Sequence, residues 1–426
     1  MDKAKPFCIS KRDVWEAYKR VKANQGAAGV DGESIAAFDE DLGNNLYRIW
    51  NRMSSGSYFP PAVRRVDIPK GDGRTRPLGI PTVSDRIAQT VVQRYLEPIL
   101  EPVFHKDSYG YRPGRSAHDA LAVARQRCWR HDWVLDLDIK SFFDEIDWEL
   151  LMRAVRYHTD CAWVLLYIER WLKAPVCMPD GTLVNREKGT PQGSVVSPIL
   201  ANLFLHYTFD RWMQRMFSAC PFERYADDVI IHCDTEYQAR QLLDMLQQRF
   251  AECKLELHPQ KTKIVYCKDD NRHGNFPEQS FDFLGYTFRP RGAKNRSGGM
   301  FVSFVPAVSA KATKAMRSVL RQWKLSHRGD LSWETLVRWL QPVVRGWVNY
   351  YGRFCPSALH QALRMVDELI VRWSRRKYKE HKKNPMRAWG WLKRLKSRQP
   401  TLLLHWQLVA RLDDRSRMSR EAHVRF

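Results

Sequence analysis

Residues 224–233 read RYADDVIIHC, a segment in which two adjacent carboxylates lie between two apolar runs. The pattern predicts a hairpin of two short strands with Asp227 and Asp228 at its tip. Two neighbouring carboxylates held against apolar strands repel each other unless a cation neutralises them. The segment therefore predicts a metal site at one end of a small sheet.

A second acidic segment, WVLDLDI at residues 133–139, indicates a buried strand that ends in carboxylates. Asp136 and Asp138 are two positions apart and so point to the same face of a strand. If this strand neighbours the hairpin, one of the two meets Asp227 and Asp228. Carboxylate oxygens suit Mg²⁺, and two such ions about 3.5–4 Å apart stabilise both reacting oxygens of a phosphoryl displacement.

The chain of 426 residues is strongly and unevenly basic. Lys and Arg number 70 against 47 Asp and Glu, a net charge of +23, and residues 306–426 alone contribute 27 basic and 8 acidic residues together with eleven Trp and Tyr. Basic side chains neutralise phosphates and aromatic faces stack on bases. This asymmetry predicts nucleic-acid binding, although any single residue could equally belong to a solvated helical face or a core.

Composition excludes several other classes of protein. A content of 44% hydrophobic and 27% charged residues excludes general disorder. No apolar run approaches the roughly 18–20 residues needed to span a bilayer, and no secretory signal opens the chain, so a cytoplasmic protein with no membrane partner is expected. The nine cysteines are odd in number and lack metal-ligand spacing, which favours buried thiols.

Hydrophobic periodicity predicts helices before residue 60, an α+β middle and a helical end beyond residue 308. Ser10 is predicted to cap the first helix. A hairpin with Pro77 and Pro81 is predicted at a sheet edge. Further segments are predicted as a helix at 84–103, a helix at 142–158, a helix at 238–251, strands at 254–258 and 262–267, and a linker or exposed basic arm at 374–385.

These segments together resemble the bacterial group II intron-encoded reverse transcriptases, also called maturases. Residues 225–228 (YADD) resemble the catalytic box of that family, and residues 138–144 (DIKSFFD) resemble its first palm motif. The other matching motifs are GAAGVDG (26–32), RRVDIPKGDGRTRPLGIPT (64–82), SYGYRPGRSAHDAL (108–121), GTPQGSVVSPILANL (189–203), KLELHPQKTKIVYC (254–267), FDFLGYTF (281–288) and RGWVNYYGRF (345–354). The resemblance covers roughly residues 20–380, and the order of the motifs is highly specific.

The resemblance implies an α+β right-hand polymerase followed by an all-α thumb. The palm would contain an antiparallel sheet. The implied domains are an N-terminal extension with fingers at 1–132, a catalytic palm at 133–300, a thumb or maturase domain at 301–380, and a basic DNA-binding segment at 381–426. No H-N-H endonuclease motif with paired cysteines is present in the sequence, which resembles class C members, and target-DNA cleavage in cis is not expected.

The resemblance also implies roles for individual residues. Asp138 and Asp227 would bind two Mg²⁺ ions, with Mn²⁺ as a substitute, assisted by Asp228 and the carbonyl of Ile139, while Asp136 would support the sheet. The residues implied to contact the incoming dNTP are Lys70, Arg76, Ile139, Phe143, Gln192, Gly193 and Ala226. Among these, Lys70 and Arg76 would clamp the triphosphate and Phe143 would exclude a ribose 2′-OH. In the thumb, RNA contacts are implied for Arg345, Trp347, Tyr350, Tyr351 and Arg353.

The implied activity is that of an RNA-directed DNA polymerase acting on dNTPs, an RNA template with a DNA primer, and target DNA. It would also bind group II intron RNA and assist its splicing and mobility. Two alternatives remain open at this point. One is a splicing cofactor with vestigial polymerase activity, and the other is a domesticated reverse transcriptase serving DNA repair or phage defence.

Overall fold

A computed structural model describes residues 5–69, 75–294, 298–325 and 328–408 of the chain. The described residues fall into two compact units. One lies within Met1–Ala120 and Leu135–Ile264, and the other lies within Leu121–Val134 and Val265–Phe426. Within the described ranges, no helix is both long and apolar enough to cross a membrane.

The first unit opens with four helices, α1 (Lys11–Asn24), α2 (Ile35–Glu40), α3 (Leu42–Ser55) and α4 (Val83–Leu100). Three of them, α1, α2 and α4, begin at a residue whose side chain caps the helix. The Ser10 hydroxyl accepts a hydrogen bond from the Asp13 amide at 3.0 Å, which confirms the predicted cap. Helix α4 is buried along most of its length and ends at Leu100, three residues earlier than predicted.

The hairpin predicted near residue 70 is present. Strands β1 (Val63–Pro69) and β2 (Thr75–Ile80) pair in antiparallel register, with Asp67 opposite Pro77. Strand β2 lies at the sheet edge, where a proline needs no amide partner. The edge prediction is wrong for β1, because its first two residues also pair in parallel with β4 (Val176–Cys177), which in turn pairs with β5 (Leu183–Val184).

A second sheet carries the acidic residues. Its strands are β3 (Trp133–Asp138), β6 (Phe222–Tyr225), β7 (Asp228–Cys233) and β8 (Lys263–Tyr266), in the order β6-β7-β3-β8. The predicted hairpin and the predicted buried strand are therefore both present and adjacent. The strand predicted at residues 254–258 is wrong, because that segment forms only one bridge, between Leu257 and Ile139.

Helical segments lie just before β3 and between the strands of this sheet along the chain. They are α5 (Ala117–Cys128), α6 (Phe142–Glu145), α7 (Trp148–His158), α8 (Ala162–Lys173), α9 (Ser197–Leu205), a π-helical turn (His206–Asp210), α10 (Arg211–Met216) and α11 (Glu236–Glu252). The single helix predicted over residues 142–158 is wrong. The carboxylate of Asp147 accepts a hydrogen bond from the Leu150 amide at 2.9 Å and starts α7 as a separate helix.

The second unit combines a small meander with a helical bundle. Its strands are β9 (Phe281–Phe283), β10 (Tyr286–Lys294) and β11 (Met300–Val308), and its helices are α12 (Ala310–Gln322), α13 (Trp333–Tyr351), α14 (Pro356–Lys377), α15 (Lys379–Lys382) and α16 (Pro385–Arg398). Leucine, isoleucine and valine side chains of α13 and α14 form a buried core with Trp373. The predicted change from an α+β region to a helical region near residue 308 is confirmed.

Residues 374–385 are not the linker or exposed arm that their charge suggested. Helix α14 continues to Lys377, and the Tyr378 ring packs between Trp373 and Trp391, with ring centroids 5.8 and 5.9 Å away. Ser374 and His381 are buried. The buried aromatic contacts hold the segment in the bundle while most of its basic side chains remain at the surface.

Candidate active site

The YADD segment, residues 225–228, forms the turn of the β6–β7 hairpin. Tyr225 pairs with Asp228, and Ala226 and Asp227 lie between them. Ala226 is buried and has a φ of +58°, a left-handed conformation that costs a residue with a Cβ roughly 1–2 kcal/mol. The surrounding structure must therefore supply contacts that hold this turn.

Arg224 supplies one set of these contacts. Its guanidinium donates to both carboxylate oxygens of Asp210 at 2.7 and 2.6 Å, to the side-chain oxygen of Asn202 at 2.9 Å, and to the carbonyl of Ala226 at 3.1 Å. Arg224 and Asp210 are both fully buried. A buried ion pair is tolerated when further hydrogen bonds satisfy its donors, as they do here. Sequence reasoning missed this role, although an arginine inside an apolar strand was a signal.

Gly110 packs closely against the backbone of the same turn. A Cβ at this position would lie 2.4 Å from the amide nitrogen of Ala226 and 2.9 Å from the carbonyl carbon of Tyr225. Asn202 donates to the Gly110 carbonyl at 2.8 Å. The absence of a side chain lets the two backbones approach closely. Gly110 lies within the segment SYGYRPGRSAHDAL (108–121), but its contact with the turn was not predictable from the sequence.

The acidic side chains of the site influence one another. Burial raises the pKa of the Asp227 carboxyl, the guanidinium of Arg76 opposes this shift, and the negative charge of Asp138 adds to it. The Lys261 ammonium lies 3.2 and 3.1 Å from the two carboxylate oxygens of Asp138. The strand that ends at Asp138 and the strand that begins at Asp228 are neighbours in the sheet, and the metal-binding roles of these aspartates remain predictions.

These residues fit a divalent cation by donor type and charge. Carboxylate oxygens are ligands for hard cations, and a cation would offset the burial and the negative charge of Asp138 that raise the pKa of Asp227. Among the described residues, no three His, Cys, Asp or Glu side chains already converge into a binding group. A cation bound at Asp138 would compete with Lys261 for that carboxylate.

Two residues predicted to contact the nucleotide lie together. Arg76 on β2 donates to the side-chain oxygen of Gln192 at 2.7 Å. The backbone holds the two segments in register, since the amide of Gly79 donates to the carbonyl of Gln192 at 2.6 Å. Gly193 has a φ of +106°, and a Cβ there would lie 2.5 Å from the Gly79 carbonyl oxygen. The predicted partner Lys70 lies outside the described residues.

A buried network that the sequence analysis missed supports the same loop. The side-chain oxygen of Gln89 accepts hydrogen bonds from the Ser194 hydroxyl at 2.5 Å and the Val195 amide at 2.8 Å. Gln89 in turn donates to Asp85 at 2.9 Å. Burial raises the pKa of Asp85 to about 6, against hydrogen bonds from Trp171 and other donors that favour the charged form. Helix α4 therefore orders the backbone that follows Gln192.

The two phenylalanines of the first palm motif are both buried. Phe143 is 6% exposed, and its carbonyl accepts a hydrogen bond from the Thr190 amide at 2.7 Å. Phe142 is 2% exposed and packs against Phe143 and Phe204. Ile139 is buried at the end of β3 and bridges to Leu257. The implied roles of Phe143 and of the Ile139 carbonyl remain predictions.

The predicted RNA-binding residues of the thumb differ in their surroundings. Arg345 and Arg353 are exposed, whereas Trp347 packs against the helical core. The Tyr350 hydroxyl donates to the Leu284 carbonyl at 2.9 Å, and the Tyr351 ring lies 5.5 Å from the ring of Tyr286. The aromatic members therefore contribute to packing within the second unit, and all five RNA contacts remain predictions.

Comparison with known proteins places this geometry in a family. The family model described as "Reverse transcriptase (RNA-dependent DNA polymerase)" matches residues 68–288, and "Group II intron, maturase-specific domain" matches residues 313–393. Protein YkfC of Escherichia coli (strain K12) is 32% identical over 74% of this chain and 90% of its own length.

Two further relatives match over shorter stretches. Group II intron-encoded protein LtrA of Lactococcus lactis subsp. cremoris is 36% identical over 45% of this chain and 32% of its own length. An uncharacterized 91 kDa protein in the cob intron of Schizosaccharomyces pombe is 34% identical over 47% of this chain and 25% of its own length. The chain thus spans a third or less of these two proteins.

The fold and the acidic turn define a nucleic-acid polymerase of the reverse transcriptase class. The chain belongs to the group II intron-encoded reverse transcriptase and maturase family. RNA-directed DNA synthesis is accordingly its enzymatic activity, and membership implies a divalent metal in catalysis and nucleic acids as substrates.

Proposed function

We propose that the chain copies RNA into DNA at a centre formed by Asp138, Asp227 and Asp228. The observation that supports this proposal is the strand order of the sheet, in which β3, ending at Asp138, is the neighbour of β7, beginning at Asp228. The hydrogen-bonded pair of Arg76 and Gln192 belongs to the same unit. The substrates would be dNTPs, an RNA template and a DNA primer whose 3′-OH attacks the α-phosphorus.

The three aspartates and the Ile139 carbonyl would hold two Mg²⁺ ions, or Mn²⁺ in their place, which supply electrostatic stabilisation of the attacking and leaving oxygens. Arg76 would bind the triphosphate, because a planar guanidinium can form two parallel hydrogen bonds to phosphate oxygens. Its hydrogen bond to Gln192 fixes one side of the guanidinium before substrate binds. Arg224 would hold the catalytic turn through the Ala226 carbonyl.

The second unit would bind group II intron RNA and thereby assist splicing and mobility. Residues 306–426 contribute a net charge of +19, and Arg345 and Arg353 are exposed there. The match to a maturase-specific domain and the similarity to an intron-encoded protein support this assignment. We assign the thumb to residues 301–380 and a target-DNA-binding segment to residues 381–426.

The experiment that tests the polymerase is primer extension on an RNA template with dNTPs and Mg²⁺. Asp227→Ala should abolish extension, because it removes a carboxylate from the centre that would stabilise the transferring phosphoryl group. Asp244→Ala is the matched control, since Asp244 is an exposed residue of α11. Intron-RNA affinity of Asp227→Ala should stay within a few fold of the wild type.

Three results would contradict the proposal. Extension by Asp227→Ala at the wild-type rate would remove this residue from the centre. A folded wild-type protein that binds intron RNA but extends no primer on several templates would instead indicate a splicing cofactor. Loss of RNA binding in Asp227→Ala would contradict the division of roles between the catalytic residues and the second unit.

A further inference from the structure

A groove in the first unit is lined by none of the described residues that are proposed above to bind metal or nucleotide. Its volume is about 640 Å³, within the range of ligand-binding clefts. Its walls come from α7, the π-helical turn, α10 and α11, with Phe204 of α9. The described residues that line it include no Asp or Glu and four arginines, Arg153, Arg211, Arg215 and Arg249.

Among the described residues, three of these arginines differ from the fourth in forming no ion pair. Arg249 is engaged, since it donates to the carbonyls of Thr208 and Tyr207, each at 3.1 Å, and pairs with a glutamate. The side chains of Arg153, Arg211 and Arg215 are exposed, and in the part of the chain that the structure describes none of them forms an ion pair.

Exposed arginines elsewhere on the same helices behave differently. Arg156 on α7 pairs with Glu169 at 2.6 Å, and Arg240 on α11 pairs with Glu236 at 2.5 Å. The first 305 residues are nearly balanced in charge, with 43 basic and 39 acidic residues. The positive charge of the groove is therefore not a general property of this part of the chain, in which basic and acidic residues nearly balance. Positive charge concentrated in one groove indicates an anionic ligand.

Aromatic surface accompanies the charge. Tyr157 on α7 is 77% exposed, and its ring makes T-shaped contacts with the rings of Tyr207 at 6.0 Å and His158 at 5.2 Å. Trp212 on α10 also lines the groove, between Arg211 and Arg215 in sequence. Arg211 and Arg215 are four residues apart and therefore share a helix face. Exposed aromatic rings beside guanidinium groups that form no ion pair are the combination that binds single-stranded bases and their phosphates.

We propose that this groove binds single-stranded RNA, with Arg153, Arg211 and Arg215 on phosphates and a base stacked on Tyr157. The proposal rests on the proposed function, which makes RNA a substrate, but it concerns a surface outside the catalytic centre. A duplex presents its bases already stacked and offers nothing to the Tyr157 ring. The groove therefore selects unpaired nucleotides over paired ones.

The test compares two double variants of the full chain by fluorescence anisotropy with labelled oligouridine. Arg211→Gln with Arg215→Gln removes two charges from the groove. Arg156→Gln with Arg240→Gln removes two charges from the same unit outside it. The groove variant should bind about tenfold more weakly than the control, with the slope of log K against log salt reduced by about 1.4, the amount expected for two phosphate contacts on a single strand.

A third variant separates stacking from charge. Tyr157→Ala should lower oligouridine affinity by about fivefold and leave the salt slope unchanged, because stacking releases no counterions. Affinity for an RNA duplex should change less than twofold in this variant. Thermal unfolding of each variant provides the check on folding.

Three results would overturn the proposal. If the groove variant and the control variant lose oligouridine affinity equally, only the general charge of the protein contributes to binding. If Tyr157→Ala lowers the affinities for duplex RNA and for oligouridine equally, the groove does not select single strands. A change from dimer to monomer in sedimentation of the groove variant would assign the groove to a second copy of the chain. Primer extension by the wild type tests the polymerase independently, so failure of the groove is distinguishable from failure of the catalytic proposal.

Discussion

At the residue scale, the buried guanidinium of Arg224 stabilises the turn that contains Ala226 and Asp227. Arg224 connects the Asp210 carboxylate to the carbonyl of Ala226, the residue that adopts the left-handed conformation. Removing one partner of a buried ion pair costs about 3–5 kcal/mol, because the other charge is left without compensation. Arg224 is therefore a positioning residue for Asp227.

We expect Arg224→Lys to lower kcat for DNA synthesis by at least about tenfold while the KM for dNTP changes by less than threefold. A lysine keeps the charge but cannot bond both Asp210 oxygens and the Ala226 carbonyl from one rigid plane. The Mg²⁺ concentration for half-maximal activity should rise, because displaced carboxylates bind a cation less well. Steady-state primer extension across a Mg²⁺ titration measures both effects.

Arg240→Lys on the surface of α11 is the matched control and should change neither quantity. The thermal midpoint of Arg224→Lys shows whether the protein remains folded under the assay conditions. A folded Arg224→Lys variant with wild-type kcat and wild-type Mg²⁺ dependence would show that the turn is held by other contacts.

Phe143 provides a second test at this scale. We expect Phe143→Ala to incorporate ribonucleotides at least about tenfold more readily relative to dNTPs, because the missing ring no longer excludes the 2′-OH. Phe142→Ala is the control, since Phe142 is buried against Phe204 and should lose stability without a change in sugar selection. Competitive incorporation of rNTP and dNTP measures the ratio, and an unchanged ratio in Phe143→Ala would assign the ring to the core.

At the element scale, helix α13 contains a glycine that no packing contact among the described residues requires. Gly346 lies in the interior of the helix, is exposed, and a Cβ there would meet no atom of the described residues within 4 Å. A glycine in a helix interior costs about 1 kcal/mol relative to alanine. Its neighbour Arg345 is one of the predicted RNA contacts, so close approach of RNA backbone to α13 would explain the glycine.

We therefore expect Gly346→Ala to raise the free energy of unfolding by about 1 kcal/mol and to lower intron-RNA affinity severalfold. Gly390→Ala in α16 is the matched control, because its Cβ would meet only the Arg394 side chain at 3.6 Å. The control should gain similar stability with unchanged RNA affinity. Equal RNA affinities for both variants in a filter-binding assay would contradict the approach of RNA to α13.

At the scale of the whole molecule, a buried carboxylate ties the end of the described chain to the helical bundle. Asp367 on α14 accepts hydrogen bonds from Lys396 at 2.6 Å and from the Trp406 indole at 2.9 Å, and it contacts His405 at 3.1 Å. Burial opposes ionisation, but the hydrogen bonds and charges of His405 and Lys396 outweigh it and lower the pKa of Asp367 to about 2. The ionised Asp367 carboxylate therefore stabilises the packing of the second unit.

A pKa below the unfolded value of 3.8 stabilises the folded state above pH 3.8, and this contribution is lost as pH falls towards 2. At about 1.4 kcal/mol per pKa unit, the contribution is roughly 2 kcal/mol. We expect Asp367→Asn to destabilise the protein at pH 6 by at least this amount, with the difference from wild type shrinking between pH 4 and pH 2. Urea unfolding at each pH measures it.

The exposed Asp330, which pairs with Arg328 at the surface, provides the control as Asp330→Asn and should change stability little at any pH. A difference between Asp367→Asn and wild type that stays constant from pH 6 to pH 2 would contradict the assigned charge state. The Asp367 side chain would then contribute to the free energy of unfolding through its shape and packing alone.

The elements that sequence predicted correctly are those specified by local chemistry. The hairpin at residues 224–233, the strand that ends at Asp138 and the cap at Ser10 follow from alternation, burial and side-chain hydrogen bonding over a few residues. The errors arise where distant contacts outweigh local pattern. The charge of residues 374–385 indicated an exposed arm, yet the rings of Trp373, Tyr378 and Trp391 hold that segment in the bundle.

The sequence by itself determined the class of this protein, its acidic centre and the basic character of its last third, because these follow from residue type, spacing and order. Only the tertiary structure decided what holds the centre in place. Arg224 and Asp210, Gly110 under Ala226, and Gln89 behind the Gln192 loop are separated by many residues along the chain. Their effects depend on burial and on distances of about 3 Å, which exist only after the chain has folded.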